Sequence, residues 1–219
     1  EPAVTWTSPF AQALESLLGM IPDPETGRCP LAGPILEHKE PEINNEIEHL
    51  LKQGFSVLRL ECGQDLASDV RLTKQIQSAA GNSAKLRIDL HQSYSLEDAR
   101  RFLDAVNPDA LELLEQPFPR DEWETTAAFA ESIPVPILLH ESITSENDIT
   151  RAASMKCCRY VKCNLKGSYG LTGLMHQINR ARDLGLEVIV GSDAGCDLQC
   201  YYEALVADHL RLQTPGDMS

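Results

Sequence analysis

Three successive apolar runs end in residue types that bind cations or carry protons. LRIDLHQ (86–92) reaches Asp89 and His91, ALELLE (110–115) reaches Glu115, and VPILLH (135–140) reaches His140 with Glu141 next. Carboxylate oxygens are hard ligands suited to Mg2+. Imidazole suits softer ions such as Zn2+, and both groups serve as proton carriers near neutral pH. Asp89 and His91 are two apart, so on a strand they share a face. In RYVKCNL (159–165) Lys162 and Asn164 alternate in the same way, and Lys166 continues the phase. Tyr160, Val161 and Cys163 give Lys162 an apolar setting that would lower an amine's pKa toward that of a working base; a lysine there can equally snorkel to the rim. FSVLRLE (55–61) closes on Arg59 and Glu61, and LEVIVGS (186–192) leads into Asp193. One carboxylate at a strand end is as readily a solvated one. Three in a row, each closing an apolar run, point to a site.

Elements of a particular kind must position these residues. The runs 31–37, 55–61, 85–90, 110–115, 135–140, 159–165 and 186–192 have strand length, are rich in Val, Ile and Leu, and start about 25 residues apart. Amphipathic stretches fill the intervals. Ser95 opens one like a capping box, and Ala99, Phe102, Leu103 and Val106 form its apolar face. Leu174, Ile178, Ala181 and Leu184 make another stripe, which ends at Gly185. The spans 41–52, 64–80, 121–132 and 145–154 read as the remaining helices.

Seven such units imply parallel strands with helices outside. An open doubly wound sheet and a (β/α)8-type TIM barrel both satisfy the pattern. No GxGxxG or GxxxxGK[ST] follows any run, which weighs against the nucleotide-binding open sheets and favours the barrel. The segment 209–219 is short and polar, so an eighth strand is not assigned and the barrel is expected to be incomplete. An open edge would favour self-association into a homo-oligomer, or cover by a further segment. Residues 1–30 are expected to form a helix (10–20) and a turn-rich loop (22–30) leading into a barrel domain over 31–219. Barrel sites form at the carboxyl ends of the strands, where the residues above all fall.

The bulk numbers narrow the partners. A formal charge of −14 over 219 residues argues against nucleic acid or an anionic membrane, and no apolar run is long enough to span a bilayer. Seven cysteines at irregular spacing, without a CxxC pair, suggest a reduced cytoplasmic protein and not a zinc ribbon.

The same segments carry a resemblance. LRIDLHQSYSLEDA resembles the third-strand segment of the enolase superfamily, which supplies a first metal-ligating Asp. LELLEQPFP resembles its fourth-strand Glu-x-Pro segment, and VPILLHESI its fifth-strand Asp-Glu-Ser segment. GFSVLRLECG, NLKGSYGLTG and LEVIVGSDAG fall where the second, sixth and seventh strands would. The agreement runs in order from about Leu31 to Ala207 and is closest to the muconate-lactonizing branch, with its o-succinylbenzoate synthases and dipeptide epimerases. It implies an enolase-like (β/α)7β barrel and a shared first step. A divalent metal, Mg2+ before Mn2+ or Zn2+, holds a small carboxylate substrate while a base removes the α-proton. Carried over position by position, Asp89, Glu115 and His140 become the metal ligands and Lys162, Lys166 and Arg59 the catalytic candidates. His91, Asn164 and Asp193 become substrate-binding candidates.

The departures are specific. Arg59-Leu60-Glu61 stands where the branch carries Lys-x-Lys, and a guanidinium is a poor base. His140 replaces an Asp ligand, which softens the site toward Zn2+ or Mn2+. Asn164 stands at the base lysine's position, with Lys162 and Lys166 on either side. The family's amino-terminal capping domain has no counterpart in these 219 residues. The leading expectation is a metal-dependent lyase, racemase or cycloisomerase. The alternatives are a non-catalytic barrel kept as a binding or structural subunit, and a Schiff-base enzyme using Lys162.

Overall fold

The computed structural model describes residues 29–36, 38, 39, 41–192 and 197–218. The expected helix over 10–20, most of the loop over 22–30, and Asp193 lie outside them. Strand and helix alternate: β1 (Gly33–Pro34), α1 (Glu42–Lys52), β2 (Val57–Glu61), α2 (Leu66–Ala80), β3 (Lys85–Asp89), α3 (Leu96–Ala105), β4 (Leu111–Glu115) and α4 (Trp123–Ser132). Then come β5 (Ile137–Leu139), α5 (Glu146–Met155), β6 (Tyr160–Cys163), α6 (Leu171–Asp183), β7 (Glu187–Ser192), α7 (Asp197–His209) and β8 (Asp217–Met218). Local chemistry starts several helices where the sequence pattern expects. The Asp65, Ser95 and Ser145 side chains each accept a hydrogen bond from the backbone N–H three residues on, closing the free amino ends of α2, α3 and α5.

The sheet runs β1 to β8 in chain order, every pair parallel. The eighth strand left unassigned in the sequence exists, and it closes the ring. Leu31 bridges Gly216 in parallel, with Ala32 N–H donating to Gly216 O at 2.9 Å and Gly216 N–H to Pro30 O at 2.8 Å. The open edge from which self-association was expected is therefore absent. Among the described residues no helix is long and apolar enough to cross a membrane.

The strand period of two sorts the side chains into two cores. Leu58, Leu60, Leu86, Ile88, Leu114, Ile137, Leu139, Val161, Val188 and Val190 face outward and pack with the helices. Leu113, Leu138, Tyr160 and Ile189 form a separate buried cluster in the lumen. Two residues further along those strands stand Glu115, His140, Lys162 and Gly191, the next lumenal layer toward the carboxyl ends. Gly191 is there for space. A Cβ on it would lie 2.2 Å from Asp217 O, so only glycine lets β8 approach this closely.

A buried ion network as candidate active site

The layer above the apolar lumen is built of charge. From β2 comes Arg59, from β3 Asp89, from β4 Glu115, from just past the end of β5 His140, from β6 Lys162 and from β8 Asp217, all of them buried. Lys162 Nζ donates to Glu115 Oε1 at 2.9 Å and to Asp217 Oδ2 at 2.6 Å. Arg59 Nη2 donates to Asp89 Oδ2 at 2.6 Å, and Nη1 donates to Glu61 Oε1 at 2.9 Å. Its Nε lies 2.8 Å from Asp217 Oδ2, a close ionic contact without hydrogen-bond alignment. Two imidazoles lean on this network. His140 Nδ1 is 3.3 Å from Glu115 Oε1, and His91 Nδ1 is 3.4 Å from Asp89 Oδ1.

Neighbouring charge sets the protonation of these groups. Burial opposes a charge on Glu115, but Lys162, the His140 hydrogen bond and Arg59 outweigh it and hold the carboxyl well below its usual range. For Asp89 the balance reverses: burial and the adjacent Glu115 charge outweigh Arg59 and raise it to about 6. Lys162 is raised. Burial disfavours its ammonium, yet Glu115 and Asp217 more than compensate. This corrects the expectation of a lowered pKa from the apolar flanks. Those flanks belong partly to the outer face, whereas the amine meets two carboxylates that sequence proximity does not show. Its two carboxylate partners favour the ammonium form of Lys162.

The other expected residues divide. His91 does reach the rim beside Asp89, but it sits past the strand end with φ +45°, its backbone N–H donating to Asp89 Oδ1 at 3.0 Å. Its side chain is 43% exposed. Asn164 is partly buried and accepts from Gly167 N–H at 2.6 Å, closing its own turn. Lys166 is exposed on that turn, because β6 ends at Cys163 and the alternation stops with it. It does not join Lys162.

Several residues of the site were not singled out in the sequence. Asp217 accepts from Lys162 and makes an ionic contact with Arg59. A signal for it did exist, since seven βα units need an eighth strand to close. Gln116 (φ +36°) accepts from His140 N–H and Ser142 N–H at 3.0 and 3.2 Å, and donates to Ser142 Oγ and Phe118 O. It thereby fixes the loop that carries His140. Glu203 on α7 accepts from Leu165 N–H at 2.7 Å and steadies the turn after β6.

The donors do not fit the divalent ion that the resemblance implies. Among the described residues no three His, Cys, Asp or Glu side chains gather as a metal-ligating group. The expected set of Asp89, Glu115 and His140 does converge, but on Arg59 and Lys162. Asp89 Oδ2 and Glu115 Oε1 already accept from those cations, and a second positive charge of two units beside them would be repelled. Three buried carboxylates face two built-in cations, so most of the negative charge that would attract an ion is already neutralised.

Taken together, a closed ring of eight parallel strands with helices between them and titratable side chains at its carboxyl-end mouth is a (β/α)8 barrel. The chain belongs to the enolase C-terminal domain-like family, whose model matches residues 42–212. It is 25% identical over 171 residues to an L-Ala-D/L-Glu epimerase of Clostridium acetobutylicum, covering 77% of this chain and 47% of that protein. The muconate lactonizing enzyme of Pseudomonas putida shares the fold with a TM-score of 0.83 at 21% identity, over 93% of this chain and 56% of the other. A dipeptide epimerase from Cytophaga hutchinsonii, solved with Mg and the dipeptide D-Ala-L-Val, superposes with a TM-score of 0.80 at 24% identity, over 94% and 55%. The chain thus spans about half the length of the relatives it matches.

Proposed function

We propose that this barrel is part of a racemase- or cycloisomerase-type enzyme that exchanges the proton α to the carboxylate of a small substrate, with dipeptides as the first class to try. Family membership and the names of the relatives support the reaction class. The observation that carries it is the pair of carboxylate-held imidazoles, His91 on Asp89 and His140 on Glu115, at the mouth of the barrel. A carboxylate beside one ring nitrogen orients an imidazole for proton transfer at the other. In this reading His91 takes the α-proton at Nε2, because it is the more exposed of the two. The fixed charge of Arg59 stabilises the enediolate oxygens as they develop. His140, held by Glu115, is the second acid–base group and returns the proton. The irregular cysteine spacing favours a reducing compartment such as the cytoplasm.

The test is incubation of the protein with L-Ala-L-Glu and a panel of other L,L-dipeptides in D2O, with and without Mg2+ and with EDTA. Mass spectrometry should find one deuterium at an α-carbon, lost in His91→Asn. If no dipeptide gains deuterium in any arm, the proposal fails.

A further inference from the structure

The donors of Arg59 face two kinds of partner. Nη2 and Nε are committed to Asp89 on β3 and Asp217 on β8, both buried carboxylates. Nη1 instead donates to Glu61, the last residue of β2, whose side chain is 58% exposed. Glu61 has little else to hold it among the described residues: its second oxygen lies 3.7 Å from His91 Nε2, beyond hydrogen-bond range. Beside this pair is a cavity of about 470 Å³ between the loops after β2 and β3, lined by Glu61, His91, His38, Asp69 and Arg71 among others. Glu61 is thus an exposed carboxylate that lines the cavity and holds one donor of a buried cation. Lys162 offers no such face, its side chain being 1% exposed with both contacts to buried carboxylates.

We propose that Arg59 Nη1 is the carboxylate-binding group of this mouth, that the binding needs no divalent ion, and that Glu61 is a built-in competitor that swings aside to admit the ligand. The inference rests on the reading of the mouth as a site for small carboxylates. A planar guanidinium matches a carboxylate in geometry and stays charged at every relevant pH. Glu61 presents the same functional group as the ligand, tethered at high local concentration. A site open for only about one tenth of the time binds about tenfold more weakly than its intrinsic constant, so removing the competitor should recover about that factor.

The experiment is an NMR titration of EDTA-treated protein with acetate at low ionic strength, in wild type, Glu61→Gln and Glu61→Ala. Both variants change a half-exposed side chain and should fold, as circular dichroism would verify. Glu61→Ala is expected to bind acetate about tenfold more tightly than wild type and Glu61→Gln somewhat less so, with no change on adding Mg2+. Adding Arg59→Lys to Glu61→Ala should abolish the gain. Equal acetate affinity in wild type and Glu61→Ala, or binding that appears only with Mg2+, would overturn the inference. Acetate binding is read without turnover, so the two proposals separate. Tighter acetate binding without dipeptide exchange sinks only the catalytic reading, and exchange with unchanged acetate affinity sinks only this one.

Discussion

Lys162→Met cuts the centre of the ion network while keeping the length of the side chain. In the wild type, Nζ meets Glu115 Oε1 at 2.9 Å and Asp217 Oδ2 at 2.6 Å, with all three side chains at most 3% exposed. At an effective dielectric of about 20, each contact is worth roughly 6 kcal/mol of attraction, against several kcal/mol for desolvating each ion. The net value of the pairs is therefore modest, but removing one partner is not. Glu115 would keep a charge with only His140 and a distant Arg59 Nε, 3.9 Å from its other oxygen, for compensation. Breaking buried pairs in this way costs about 3–5 kcal/mol, which in a chain of this size lowers Tm by about 10 °C. Differential scanning calorimetry at pH 7 reads this directly, with the exposed Lys166→Met as control. Adding Glu115→Gln to Lys162→Met should restore part of the loss, since the stranded charge is gone. If Lys162→Met melts within 2 °C of wild type, the network is not what holds the mouth, and the reasoning fails.

Three further outcomes follow from the same geometry. Asp89 is raised from 3.8 to about 6. Between those values the folded state binds a proton that the unfolded chain does not, so stability rises as pH falls through 6. The gain is at most about 3 kcal/mol by pH 4. Glu115, held low, opposes this only below its unfolded value of 4.5, so urea midpoints should climb as pH falls from 6 and level off near about pH 4 to 4.5, and Asp89→Asn should flatten the climb. Gly191→Ala places a Cβ 2.2 Å from Asp217 O. It should cost about 1–3 kcal/mol by urea unfolding, through displacement of β8. Gln116→Ala strips the acceptor from the buried His140 and Ser142 amides, and should cost about 1–3 kcal/mol for each donor left unpaired. Hydrogen exchange at those two amides should then be accelerated.

The sequence determined this protein's layers. The recurrence of apolar runs and amphipathic helices carried the barrel, because strand burial on two faces and helix burial on one leave distinct periods in the residues themselves. The strand ends also announced their polar cargo, and Asp89, Glu115, His140, Lys162 and Arg59 do share one lumenal layer. Tertiary structure decided what that layer is. Whether Asp89 and Glu115 wait for an ion or are already paired depends on residues 30 and 47 positions away. The state of Lys162 depends on Asp217, which a two-residue strand brings in from 55 positions away. Local flanks predicted a lowered lysine pKa; the assembled charges raise it. Coulomb energy depends on distance in space, and a one-dimensional sequence records which residues alternate on a strand but not which charge faces which across a closed ring.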